Sequence, residues 1–84
     1  MEDLLRVGVI SSAHGIKGEV NVFPTTDEPE MFAHWKTLRL VEKKQSRLIH
    51  VRGAKYFKNM VILSLEEIAH RNQAELLRQA ELYI

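Results

Sequence analysis

The chain has 84 residues, 12 Lys and Arg against 11 Asp and Glu, no cysteine and a formal net charge of +1. That length suits one small domain that buries about 60–65% of the surface its unfolded chain exposes, and a hydrophobic share of 45% is enough for a core. A chain without cysteine has no disulfide framework, thiol nucleophile or cysteine-based zinc site, and it fits a reducing compartment.

In chain order, Leu5, Val7 and Val9 alternate with Arg6 and Gly8, which predicts a first strand. Val20, Val22 and Phe23 predict a second, stopped by Pro24. Between them His14-Gly15-Ile16-Lys17-Gly18 reads as a loop whose two glycines take unusual backbone angles. Asp27 followed by Glu30 resembles a capping box, and Pro29 suits a first helical turn. One short helical turn is therefore expected between Thr25 and Trp35, with Phe32 or Trp35 reaching the core.

Thr37 to Val41 and Leu48 to Ala54 predict a third and a fourth strand, joined as a hairpin through Glu42 to Gln45. Tyr56 to Asn59 reads as a turn, and Met60 to Leu65 as a very apolar fifth strand. Arg71 to Arg78 is rich in helix formers, and Ala74 and Leu77 share one face of that helix. Glu81 to Ile84 predicts a final strand. Six short strands and one helix in a chain of this size point to a mainly β fold, a small six-stranded antiparallel barrel, because closure protects strand edges. The sequence stops inside its last strand, so a further segment is expected to follow.

Catalytic patterns are missing. The four histidines, His14, His34, His50 and His70, lack the short spacing of a zinc motif. Ser11 and Ser12 sit in no nucleophile elbow, and Glu66-Glu67 reads as a solvated pair near a helix start. Gly15-Ile16-Lys17-Gly18 lacks the Lys-Ser/Thr ending of a phosphate-binding P-loop. No apolar run approaches the roughly 20 residues of a membrane span, and the acidic Glu2 and Asp3 are unlike a signal peptide. No enzyme activity, metal, cofactor or membrane partner is expected.

Charge is the suggestive feature. From Lys36 to Lys58 eight basic residues stand against one acid, Glu42, for a local charge of +7, while the flanks sum to −6. Lys43 and Lys44 are expected at a hairpin tip, and Lys55, Tyr56, Phe57 and Lys58 at the next turn. Cations beside rings suit RNA, with charge for phosphate and rings for stacking. A solvated surface that uses lysine against aggregation is the competing reading, with Tyr56 and Phe57 as core residues.

Four segments resemble a known family. His14-Gly15-Ile16-Lys17-Gly18-Glu19-Val20, preceded by Val7-Gly8-Val9-Ile10, resembles the signature loop of the ribosome maturation factor RimM. Thr26-Asp27-Glu28-Pro29-Glu30-Met31-Phe32 is similar to its Thr-Asp-x-Pro-Glu-x-Phe segment, and Arg71 to Arg78 to its Arg-Asn-Ala-Ala-Glu-x-Leu-Arg helix. Glu81-Leu82-Tyr83-Ile84 resembles the strand after it. The order covers almost the whole chain. Two departures stand out: Gln79 replaces a usual glycine, and Glu67-Ile68-Ala69-His70 replaces a Gly-Ile-x-Asp lead-in, leaving Glu66 or Glu67 to cap the helix.

The resemblance implies a single domain over residues 1–84, a barrel similar to domain two of translation factors, with a C-terminal PRC barrel absent from this chain. It implies a non-catalytic, cytoplasmic assembly factor that binds the immature head of the small ribosomal subunit and supports 16S rRNA processing. The implied partners are that subunit, its head ribosomal protein number nineteen, 16S rRNA and the PRC barrel of the same protein; a monomer is expected. The candidate contact residues are His14, Gly15, Lys17, Gly18 and Glu19 from the loop resemblance, and Lys43, Lys44, Lys55 and Lys58 from charge. A purely protein-binding adaptor that docks a ribosomal protein without RNA contact is the alternative. A ligand-binding or enzymatic barrel has no residue pattern behind it.

Overall fold

Register shifts, more than simple alternation, decide which side chains of the first strand turn inward. The computed structural model describes residues 4–43 and 45–84. Strand β1 (Arg6–His14) pairs with β2 (Glu19–Pro24), with shifts at Ile10/Ser12 against β2 and at Arg6/Gly8 against the last strand. An extra residue at a shift moves the following side chains to the other face. Val7 and Ile10 are therefore both buried, whereas Leu5 of the expected alternation is 61% exposed and Val9 is half-buried. In β2 the pleat holds: Val20 and Val22 face in, and Phe23 faces out.

The expected helical turn is a 3₁₀ turn at Pro29–Ala33. It lacks the Asp27–Glu30 capping box. Glu28 stands at the cap without a side-chain bond, and its N–H donates to Thr26 Oγ1 at 3.2 Å. Pro29 presets the first turn. Phe32 is fully buried and meets Trp35 edge to face, with centroids 5.1 Å apart. Glycine at position 8 makes room for it: a Cβ there would lie 2.6 Å from Val22 Cγ1 and 3.2 Å from Phe32 Cζ.

Strands β3 (Thr37–Glu42) and β4 (Gln45–Phe57) form the expected hairpin, with Glu42 paired to Gln45. Strand β4 runs well beyond the expected Leu48 to Ala54. Its first end, Gln45–Arg47, is polar, its last, Lys55–Phe57, is exposed, and both are strand because the ladder holds them. Its first half pairs with β3, and from Val51 it pairs with β5 (Met60–Leu65), with a register shift at Val51/Gly53. Lys55, Tyr56 and Phe57 thus belong to β4, and only Lys58 and Asn59 form the turn.

Helix α1 (Arg71–Glu75) is shorter than expected, and the chain continues as turns to Gln79. Its start is held by Gln73 Oε1, which accepts from the N–H groups of Ala69 (2.8 Å) and His70 (3.2 Å). His70 is the cap residue, so neither Glu66 nor Glu67 takes that role. Ala74 and Leu77 are buried as their spacing predicts. Gln79 adopts φ +72°, the left-handed conformation that favours glycine. Its N–H donates to Ile10 O at 2.7 Å, and Ile10 N–H donates to Ala80 O at 2.8 Å. Strand β6 (Glu81–Tyr83) then enters between β1 and β3 and closes the barrel in the order β1-β2-β5-β4-β3-β6.

The result is the expected closed six-stranded antiparallel barrel with one short helix before its last strand. Among the described residues no polar or charged residue is buried. Each fully buried Leu, Ile, Val or Phe contributes about 1.5–3 kcal/mol. The barrel interior is packing, so chemistry has to come from the outside.

Candidate functional site

The antiparallel ladder gives the barrel two unlike ends. Strands β1 and β3 both pair antiparallel with β6, so they run the same way and finish at the same end. That end carries the β1–β2 loop, the β3–β4 tip and α1. The other end carries the 3₁₀ turn and the β4–β5 tip. There the Tyr56 hydroxyl donates to Glu30 O at 2.9 Å and accepts from Ala33 N–H at 3.2 Å.

The candidate residues divide accordingly. His14 closes β1 and is exposed, as are Gly15, Ile16 and Lys17. Gly15 and Gly18 take φ +71° and +87°, as the loop reading expects. Gly18 is buried against the start of α1, where a Cβ would lie 2.8 Å from His70 N and 3.0 Å from Ala69 C. Arg71 Nη1 donates to Gly15 O at 3.4 Å while its Nε holds Glu75 at 3.0 Å. The loop is thus fitted to α1 from two sides. Glu19 lies 3.8 Å from Lys55 Nζ, a surface pair contributing about 0–1 kcal/mol. That contact ties Lys55 to the loop, although it was expected at the turn beside Lys58.

The lysines do not form one patch. Lys43, at φ +45°, sits at the α1 end. Lys58, at φ +56°, sits at the opposite end with its Nζ 5.4 Å from the Phe57 centroid. Lys44 lies outside the described residues. Tyr56 and Phe57 are 47% and 61% exposed, so neither is a core residue.

Sequence reasoning missed two features of this surface. One is Arg71 reaching Gly15 across 56 positions, for which no local spacing gives a signal. The other is His50, whose backbone N–H donates to Glu67 Oε1 at 2.9 Å and whose Nδ1 meets Glu67 Oε2 at 2.5 Å. The hydrogen bond to Glu67 raises the His50 pKa above its ordinary value. Burial alone would raise the Glu67 pKa, but the ring and backbone bonds from His50 outweigh it and hold that carboxyl below its ordinary value. The pair fastens the middle of β4 to the connection before α1. Among the described residues no group of three or more His, Asp or Glu is placed to hold a metal ion. Among the described residues no helix is long and apolar enough to cross a membrane.

The chain resembles known proteins along almost its whole length. Residues 5–84 match the family model of the RimM N-terminal domain. A ribosome maturation factor RimM from Symbiobacterium thermophilum is 45% identical over 82 residues, covering 98% of this chain and 46% of that protein. One from Clostridium perfringens is 43% identical over 84 residues, covering 100% of this chain and 48% of that protein. The chain therefore spans about half the length of the curated relatives it matches. The crystal structure of a 16S ribosomal RNA processing protein RimM from Pseudomonas aeruginosa superposes with a TM-score of 0.90 at 24% identity. It covers 98% of this chain and 50% of that one, and it supports the fold.

Proposed function

The chain belongs to the RimM N-terminal domain family, and from that membership we propose that it is a non-catalytic module for assembly of the small ribosomal subunit. It binds the immature subunit head and supports 16S rRNA processing, in a cytoplasmic protein whose remaining part is a PRC barrel. The observation that carries this reading is the match over residues 5–84 to a family whose members are named ribosome maturation factors.

The contact surface in this reading is the α1 end: His14 and Lys17 on a loop that Gly15 and Gly18 shape and Arg71 braces, with Glu19 and Lys55 beside it and Lys43 at the neighbouring tip. Head protein nineteen and 16S rRNA are the partners this surface would meet. A factor that assists maturation and then departs needs unequal affinity for immature and mature particles, because equal binding shifts no equilibrium.

Co-sedimentation of the chain with free small subunits over a salt series tests this, with free large subunits as the control. Selective binding to the small subunit is the expected result. Absence of binding, also from a chain carrying the second barrel, would sink it. The split of Lys43 and Lys58 between opposite ends favours a second reading, docking on a ribosomal protein without RNA contact. An apolar-centred protein interface would show a shallow salt response where an RNA contact shows a steep one.

A further inference from the structure

Barrel closure leaves one stretch of strand unpaired on one side. In the β3–β4 ladder the backbone of Val51 points to β3, since its N–H donates to Lys36 O at 2.8 Å. His50 points the other way, donating to Glu67 and accepting from Glu66 N–H at 2.9 Å. Backbone groups alternate along a strand. Ser46 and Leu48 therefore share the direction of His50, but β5 begins its pairing only at Val51. Among the described residues nothing takes up the N–H and C=O groups of Ser46 and Leu48 on that side, and both residues are exposed.

Beside this edge, between β4 and α1, lies a groove of about 320 Å³. Leu40, Ile68, Leu76 and Leu77 supply apolar lining, while Glu42, Glu67 and Arg47 supply charge. Leu76 is 82% exposed although it borders the groove. Glu42 Oε1 is shielded from solvent and has no hydrogen-bond partner among the described residues. A shielded carboxylate oxygen without a donor is costly, and a cationic side chain would relieve that cost.

We propose that the Gln45–Leu48 edge and the adjoining groove are a docking site for an extended segment of a protein partner, which adds to β4 as a further strand. Strand addition draws affinity from main-chain bonds and specificity from pockets for alternate side chains. Main-chain groups of the segment meet those of Ser46 and Leu48. Its inward side chains are apolar over Leu40 and Leu77, with one Lys or Arg at the level of Glu42. The site follows from the fold and the groove, and it does not depend on the assembly role.

The test is an NMR titration of the ¹⁵N-labelled chain with an octapeptide carrying Val, Arg and Val at alternate positions and Thr between them. The Ser46 and Leu48 amide signals are expected to move downfield, and their solvent exchange to slow about tenfold or more at saturation, as newly formed backbone bonds require. Of two versions N-methylated at alternate positions, one should lose binding and the other keep it, because only one set of N–H groups faces β4. Replacing the peptide Arg by Glu, or making Glu42→Gln in the chain, should weaken binding several-fold with the rest of the spectrum unchanged. The proposal is overturned if Ser46 and Leu48 stay unmoved up to millimolar peptide, or if both N-methylated versions bind alike. Sedimentation showing that this edge is taken by a second copy of the chain would also overturn it. Failure of the chain to bind ribosomal particles leaves these readouts intact, so the two proposals fail separately.

Discussion

Gly18 Cα approaches the backbone of His70 so closely that an added Cβ would stand 2.8 Å from the His70 nitrogen. The contact joins the β1–β2 loop to the start of α1, and φ +87° adds a second demand for glycine. Gly15 shares the positive φ, yet a Cβ there meets nothing within 4 Å. The two glycines therefore separate strain from clash. Gly15→Ala is expected to cost about 1 kcal/mol, the strain alone. Gly18→Ala is expected to cost about 2–3 kcal/mol, because backbone atoms must also shift. Urea unfolding of both variants checks this, and equal losses would mean that the approach to His70 is not tight.

Gln79 holds φ +72°, a backbone conformation that favours glycine. The side chain carries the cost of a left-handed backbone, and the backbone bonds from Gln79 to Ile10 and from Ile10 to Ala80 keep it there. Gln79→Gly is expected to stabilise the fold by about 0.5–1 kcal/mol. A thermal midpoint that falls would show that glycine's freedom in the unfolded chain outweighs the relief.

What could be read in advance follows from where the information sits. Val20 and Val22 alternate cleanly, Met60–Leu65 carries a near-continuous apolar run, and both strands lie as expected. The two ends of β4 were illegible because Gln45–Arg47 and Lys55–Phe57 are polar or exposed and owe their conformation to neighbouring strands. The loop glycines were legible because positive φ leaves a local mark. The division of the lysines between two ends was not, since it depends on strand direction around a closed barrel. The partners of His50 and Arg71 lie 17 and 56 positions away, beyond any periodic signal.

The Tyr56 hydroxyl binds Glu30 O and Ala33 N–H, fixing the 3₁₀ turn to β4 at the end opposite α1. Tyr56→Phe keeps the ring and removes both bonds. A loss of about 1 kcal/mol is expected, with faster amide exchange confined to residues 29–35. Faster exchange at α1 as well would mean that the two ends of the barrel are coupled.

The His50–Glu67 pair makes stability depend on pH in a definite sense. The folded pKa of His50 is raised, so its contribution is complete below the unfolded value near 6.5 and fades as pH rises through the folded value. The folded pKa of Glu67 is lowered, so its contribution is present above the unfolded value near 4.5 and fades as pH falls through the folded value. The pair therefore favours the fold most between about pH 4.5 and 6.5. Urea midpoints from pH 3 to 9 should show a maximum in that window that His50→Gln flattens. A profile of the same shape in His50→Gln would place the dependence on other groups.

Lys43 and Lys58 lie at opposite ends of the barrel, so a single RNA contact at the α1 end engages one and not the other. Each lost phosphate contact lowers the slope of log affinity against log salt by about 0.7–0.9. Lys17→Gln and Lys43→Gln are each expected to lower that slope for small-subunit binding by this amount, and Lys58→Gln to leave it unchanged. Lys58 serves as the internal control because its substitution removes the same charge. Equal reductions at all three would mean that RNA wraps both ends. A reduction at Lys58 alone would move the interface to the end held by the 3₁₀ turn. A slope that none of them alters would turn the reading towards docking on a ribosomal protein.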